Sequence, residues 1–413
     1  MDIHSLKTLA ELGRREEGKK LILSFLEQEE QEVALQNLGT FLILELGWNE
    51  EASLVYRKLL LKNPKNVSVL TRLALSLSYD GNYEEGLLFL DQAVEIEPHN
   101  LGVRTERGVL YLLLGRYEEG WEEYGSYRKI PSFPKPLGVR SPLWQGEDLQ
   151  GKTILIPSEQ GAGDAIQFIR YASFLQQKGA RVLFSCHHSL LRLFSHTKGV
   201  DVLVDSRWWP PAHDVHFFLV NSPKWMGLDP AYPPCNVPYV KAPEQLLQKW
   251  KERLSPYQGI RVGIAWTGNT ARVRNKFRSI DPALLKVFSD IEGYTFISLQ
   301  KPKEDLSSSF PSLLDWTDEL SDFADTAALI SELDLIITID TSIAHLAGAM
   351  AKPVWTLLSH SPDWRWLLNR QDSPWYPTMR LFRQKKEGDW SPVIEDVCKE
   401  LRKGVGTKTF LSI

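Results

Sequence analysis

The sequence predicts a helical N-terminal third followed by two consecutive α/β units. Three observations predict it. Small residues and prolines recur every 34 residues up to about residue 129. From Thr153 onward, apolar runs of strand length alternate with amphipathic helical patterns. That alternation restarts near residue 260.

The repeat is carried by three interleaved series. Gly13, Gly47, Gly81 and Gly115 are 34 residues apart, as are Gly18, Ala52, Gly86 and Gly120, and so are Pro64 and Pro98. A glycine between two helices permits a left-handed turn. A small residue five positions later lets the second helix pack closely on the first, and a proline after that helix stops it. The period resembles the tetratricopeptide repeat, a helix–turn–helix unit. The clearest unit runs from 66 to 100, and the next keeps Gly108, Tyr111, Gly115, Tyr117, Gly120 and Tyr124. Residues 1–129 therefore read as three full units behind a partial one that lacks most of its first helix. Such stacks form a concave surface that usually takes a polypeptide. The alternative is an array that only braces the neighbouring domain.

Residues 130–150 hold four prolines and no period, and read as an extended connector. The first α/β unit, 151–257, opens with the strand TILIP, the loop SEQGAGD and a helix AIQFIRYASFLQQKG, then RVLFSC and a helix HHSLLRLFSH, with HDVHFFLV as a further strand. The second, 258–405, contains RVGIAW, TFISLQ, DLIITI and PVWTLL as strands, with ALLKVFSD, TAALISEL, SIAHLAGAMA and VIEDVCKELRKG as helices. Two Rossmann-like units in tandem suggest the GT-B arrangement, with ligands beyond the carboxyl ends of the strands.

Composition narrows the function classes. A net charge of −4 gives no general attraction for nucleic acid. The N-terminus lacks the basic start and apolar core of a signal peptide, and the apolar runs are too short to span a bilayer. Cys186, Cys235 and Cys398 are scattered and odd in number, which fits a reducing compartment. A cytoplasmic protein without a transmembrane segment is expected.

Chemistry concentrates at two loops. In DLIITIDTSIAHLAGAMA a buried strand ends at Asp340, and Thr341 or Ser342 caps a helix of small residues. Its N–H groups and dipole favour a phosphate, and His345 lies near its first turn. The same residues read as an ordinary capped helix. In GAGD, Gly161 and Gly163 permit a tight loop, and Asp164 is placed to cap a helix beginning at Ala165.

IDTSIAHLAGAMAKPVW resembles a segment of family 9 glycosyltransferases, the heptosyltransferase group. SEQGAGDAIQFIRYA, GIAWTGN, RSI, SLQK, DFADTAALI and DWRWLL…DSPWYPTMRLFRQ extend that resemblance over most of 140–400. It is nearest the branch that joins tetratricopeptide repeats to such a domain. The resemblance implies that the Asp340–His345 segment holds the diphosphate of a sugar nucleotide. It also places Asp164 in the cleft as general base for the acceptor hydroxyl, with Glu159 a second candidate. Arg278 would stabilise the leaving diphosphate, with Lys276 a substitute; Arg272 and Arg274 lie in the same basic loop, which otherwise reads as solvated surface. Trp266 and Asn269, at a strand's carboxyl end, would line the donor site, and Gln300 would lie near the nucleotide. Asp325 and Thr326 would contact ribose or cap their helix. Trp364 and Trp366 read as packing residues.

The D-x-D triplet that holds a metal in another large transferase fold is missing from the sequence, and the histidines have no ligand partners at useful spacing. Together with the phosphate-favouring helix terminus this argues for metal-independent transfer, and the resemblance implies an inverting transferase acting on a nucleoside-diphosphate sugar, with no cofactor. The acceptor would be a protein or peptide recruited by the repeats. The rival reading is a catalytically silent scaffold. A nucleotide-dependent oxidoreductase is disfavoured because Ile166 stands where the dinucleotide fingerprint has its third glycine.

Overall fold

The computed structural model describes residues 3–131, 136–219, 236–269 and 273–404. Eight helices form the N-terminal part, in four antiparallel pairs: α1 (Ile3–Glu11) and α2 (Arg15–Gln28), α3 (Glu32–Phe41) and α4 (Asn49–Lys62), α5 (Val67–Tyr79) and α6 (Tyr83–Ile96), α7 (Leu101–Leu113) and α8 (Tyr117–Tyr124). The periodic glycines act as their positions imply. Gly13, Gly47, Gly81 and Gly115 all have φ between 67° and 89°. A Cβ on Gly86 would come within 2.9 Å of the Ala74 carbonyl, so only glycine allows α6 to close on α5. Asn66 and Asn100, also one period apart, cap α5 and α7 by accepting the N–H of Val69 and Val103.

Two parallel sheets follow. The first has the order β3-β2-β1-β4, built from β1 (Thr153–Pro157), β2 (Arg181–Cys186), β3 (Val202–Asp205) and β4 (Val215–His216). The second has the order β6-β5-β7-β8-β9, built from β5 (Ile260–Ala265), β6 (Tyr294–Ser298), β7 (Leu335–Ile339), β8 (Val354–Leu358) and β9 (Met379–Arg383). Their strands are nearly continuous apolar runs because helices cover both faces. Strand order reverses between β1 and β4 and between β5 and β7, so a crevice opens at the carboxyl ends of these strands.

The connector lies on the first sheet. Leu143 pairs with His216, and Trp144 is buried edge-on against Phe217. The last two repeat pairs share one apolar core with both α/β units, while α1–α5 hold a second core of their own. Trp121 of α8 meets Trp364 edge-on at 5.1 Å between ring centres. The repeats are thus packed into the α/β region.

Some elements differ from the expectation. AIQFIRYASFLQQ is not one helix: it runs helical from Ala162 to Phe168, tightens at Ile169–Tyr171 and resumes at Ala172–Gln177. Arg170 causes the break. Its Nε donates to the Gln167 carbonyl at 2.7 Å, and its other nitrogens reach the Trp375 carbonyl and the Tyr239 hydroxyl. The helix also begins at Ala162, three residues before the expected Ala165. Residues 282–290 form 3-10 turns. The second helix of the first unit is a single turn, Leu191–Phe194, after a 3-10 turn. Of HDVHFFLV only Val215–His216 pairs, and Val220 lies outside the described residues, as do Cys235 and Arg272. No helix among the described residues is long and apolar enough to cross a membrane.

Candidate active site

A cleft of about 570 Å³ lies between the two sheets. The loop after β1 contributes Gly161, Gly163 and Asp164, and the loops after β5, β6 and β7 contribute Asn269, Arg278, Gln300, Asp340, Thr341, Ser342 and His345. Residues scattered over 185 positions of sequence, from Gly161 to His345, therefore face one space.

Thr341 is the residue that caps the helix Ser342–Ala349, its hydroxyl accepting the Ile343 N–H at 3.3 Å. The helix N-terminus opens on the cleft, where its N–H groups favour an anion. His345, 6% exposed, bonds Tyr376 through Nδ1 at 2.9 Å and stacks on Trp366. The opposite wall comes close at Gly163, where a Cβ would sit 2.9 Å from the His345 ring. Because Tyr376 and Trp366 fix that ring, Gly163→Ala should force the two helices apart. A loss of about 1–3 kcal/mol in urea unfolding is expected. Unchanged stability would mean that this approach of the two units is loose.

Arg278 is held from two sides: Nε donates to Asn275 Oδ1 at 2.9 Å, and Nη1 to the Asp340 carbonyl at 3.1 Å. Gln300 shapes the cleft wall indirectly. Its Oε1 accepts the N–H groups of Trp266 and Thr267, clasping the loop after β5.

Asp164 sits at the third residue of its helix, and its carboxylate reaches back to the Gly161 N–H at 2.9 Å. Its other oxygen pairs with Arg365. Arg365 also donates to Gln167 and to Asp363. Burial opposes the Arg365 charge, but Asp363 and Asp164 outweigh it and raise its pKa. Burial would likewise raise Asp363, and the Arg365 guanidinium overcomes it, holding Asp363 below the usual range.

Asp340 goes the other way. Burial, then the nearby Asp363 carboxylate, push it up to about 6 against the pull of Arg278. A carboxyl raised on folding contributes stability at low pH that is lost as pH rises through its folded value. Asp340→Asn lacks that loss. Its stability relative to the parent should therefore grow from about pH 4 to about pH 6, by roughly 1–3 kcal/mol, and level off above pH 7. Urea unfolding across that range would show it; a flat difference would contradict the assignment.

Several predicted residues lie elsewhere. Glu159 turns away and forms two hydrogen bonds with Arg128, at 2.7 and 2.9 Å, with its side chain 1% exposed. Trp266 is buried, its indole donating to Glu304. Lys276 pairs with Glu45 of the repeats. Asp325 accepts from Ser321 and Arg192, and Asp322, not Asp325 or Thr326, caps that helix. Thr326 does line the cleft. Asp363 and Arg365 line it too and were not singled out from sequence; DWRWLL read as packing, which is true of Trp364 and Trp366. Among the described residues, no group of three or more His, Cys, Asp or Glu side chains is placed to hold a metal ion.

Residues 321–390, which include Thr326, the Asp340–His345 segment and Arg365, match the model of glycosyltransferase family 9 (heptosyltransferase). Protein FlbA of Caulobacter vibrioides is 28% identical over 345 residues, covering 72% of this chain and 54% of FlbA. The chain thus spans about half the length of that relative. Among solved structures, a family 9 glycosyl transferase of Veillonella parvula aligns over 65% of this chain and 99% of its own, at 12% identity and a TM-score of 0.46. An O-GlcNAc transferase variant of Thermobaculum terrenum aligns over 94% and 92%, at 13% identity and a TM-score of 0.31.

Proposed function

We propose that this chain, whose residues 321–390 match the model of glycosyltransferase family 9, is an inverting, metal-independent transferase acting on a nucleoside-diphosphate sugar. The observation that carries the reading is the convergence of the Asp164 carboxylate, the Arg278 guanidinium and the N-terminus of the helix Ser342–Ala349 on a single cleft. These are the parts that displacement at an anomeric carbon needs.

In this reading the diphosphate lies against the helix N-terminus at Ser342, with Arg278 beside it. The acceptor hydroxyl attacks the anomeric carbon from the Asp164 side and gives its proton to that carboxylate. The bond from the anomeric carbon to the diphosphate oxygen breaks, and its electron pair stays with the nucleoside diphosphate. Arg278 and the helix N-terminus neutralise the charge that develops there. Arg365 and the Gly161 N–H hold Asp164 in place, one on each oxygen. Asp164 is favoured over Glu159 because it lines the cleft, whereas Glu159 is turned away onto Arg128. The acceptor is proposed to be a protein segment gathered by the repeats, whose surface leaves Leu61 85% and Leu88 61% exposed.

The test is the stereochemistry of transfer. With a sugar nucleotide that the protein turns over, proton NMR should show a product of opposite anomeric configuration, formed equally well in EDTA. Retained configuration, or activity abolished by EDTA, would refute inversion or metal independence respectively.

A further inference from the structure

The basic segment after β5 divides between two destinations. Arg278 lines the cleft, whereas Arg274 and Phe277 point into the second repeat. Arg274 holds a left-handed backbone, φ 66°, which a residue with a Cβ adopts only when its surroundings impose it. Those surroundings are specific. Its guanidinium donates to the Ile43 carbonyl and pairs with Glu387. The second oxygen of Glu387 accepts from the amide of Asn49, a residue 1% exposed at the start of α4. The guanidinium also lies over the rings of Tyr79 and Phe277, at 4.0 and 4.4 Å. Phe277 in turn rests on the inter-helix turn at Gly47, where a Cβ would come 2.6 Å from its ring.

This ion pair is largely shielded from water, with side chains 12% and 11% exposed, so removing one partner leaves a poorly solvated charge. One helical turn, Asn275–Arg278, joins the cluster to the cleft, and Asn275 holds Arg278 by its Nε. We propose that the turn of the second repeat, acting through Glu387 and Arg274, positions Arg278 in the donor site. The repeats then set affinity for the sugar nucleotide itself, in addition to any role toward the acceptor. Glu387, Arg274 and Asn49 are positioning residues, since they touch the ligand only through Arg278. The proposal rests on the reading of the cleft as a donor site.

The test uses the full chain and whichever of UDP, GDP, ADP, CDP and dTDP binds it tightest by calorimetry. Glu387→Gln should raise Kd about 5- to 30-fold, and the milder Asn49→Ala about 3- to 10-fold. Circular dichroism at the assay temperature confirms that each variant is folded, and Asn49→Ala decides the matter should Glu387→Gln fail to fold. In an Arg278→Ala background both substitutions should change Kd less than about twofold, because the group they orient is gone. A merely structural role would weaken binding equally in both backgrounds, and that result, or Kd unchanged in the parent background, overturns the positioning role alone. Failure of all five diphosphates to bind, or no effect of Arg278→Ala, overturns the donor-site reading and this proposal with it.

Discussion

Asp164→Asn should lower release of nucleoside diphosphate from the sugar nucleotide by about 10²- to 10⁴-fold while leaving Kd for the diphosphate within about threefold. The substitution is chosen for what it keeps. An asparagine Oδ1 can still accept from Arg365 or from the Gly161 N–H, which now hold the two carboxylate oxygens. Asparagine cannot take a proton from the acceptor. Asp164→Ala would confound the result: both substitutions leave Arg365, 5% exposed, with Asp363 as its charge partner, but alanine also removes the acceptor of a buried guanidinium N–H, at a further cost of about 1–3 kcal/mol in stability. A folded Asp164→Asn variant with near-normal turnover would remove Asp164 from the chemistry.

Arg278→Ala should raise Kd for a nucleoside diphosphate about 10- to 100-fold, the scale of one lost charge-assisted contact. Turnover at saturating donor should fall as well, because the charge on the leaving group peaks in the transition state. Arg278→Lys should recover little. A lysine bears the charge but lacks the planar fork that bonds Asn275 and the Asp340 carbonyl together while facing the cleft. Equal binding by all three forms would place the diphosphate elsewhere.

The fold was legible because its signals are local and periodic. The 34-residue glycine series marks turns whose left-handed backbone needs glycine, and four such turns are present. Strands buried on both faces must be apolar runs, so β1, β2 and β5–β8 stood out. β3 and β9 did not, and the helix expected from Ala165 to Gly179 breaks because Arg170 bonds residues far along the chain. The Asp164, Arg278 and Asp340–His345 segments were legible through resemblance and through strand-end logic. What escaped was set by distant contacts. Arg365 meets Asp164 across 201 positions of sequence, and nothing within DWRWLL marks its arginine from its tryptophans. Glu159 and Lys276 stayed open as second candidates, and only the structure shows Arg128 and Glu45, both from the helical part, taking them as partners.

The central claim is that the cleft holds a nucleoside diphosphate without a metal. Calorimetric titration of UDP, GDP, ADP, CDP and dTDP into the full chain, in EDTA and again in magnesium, tests it most directly. The account predicts that one of them binds with the same Kd in both buffers and loses about 10-fold or more affinity in the Arg278→Ala variant. Binding seen only with magnesium, or no binding of any of the five at millimolar concentration to a folded sample, would contradict it.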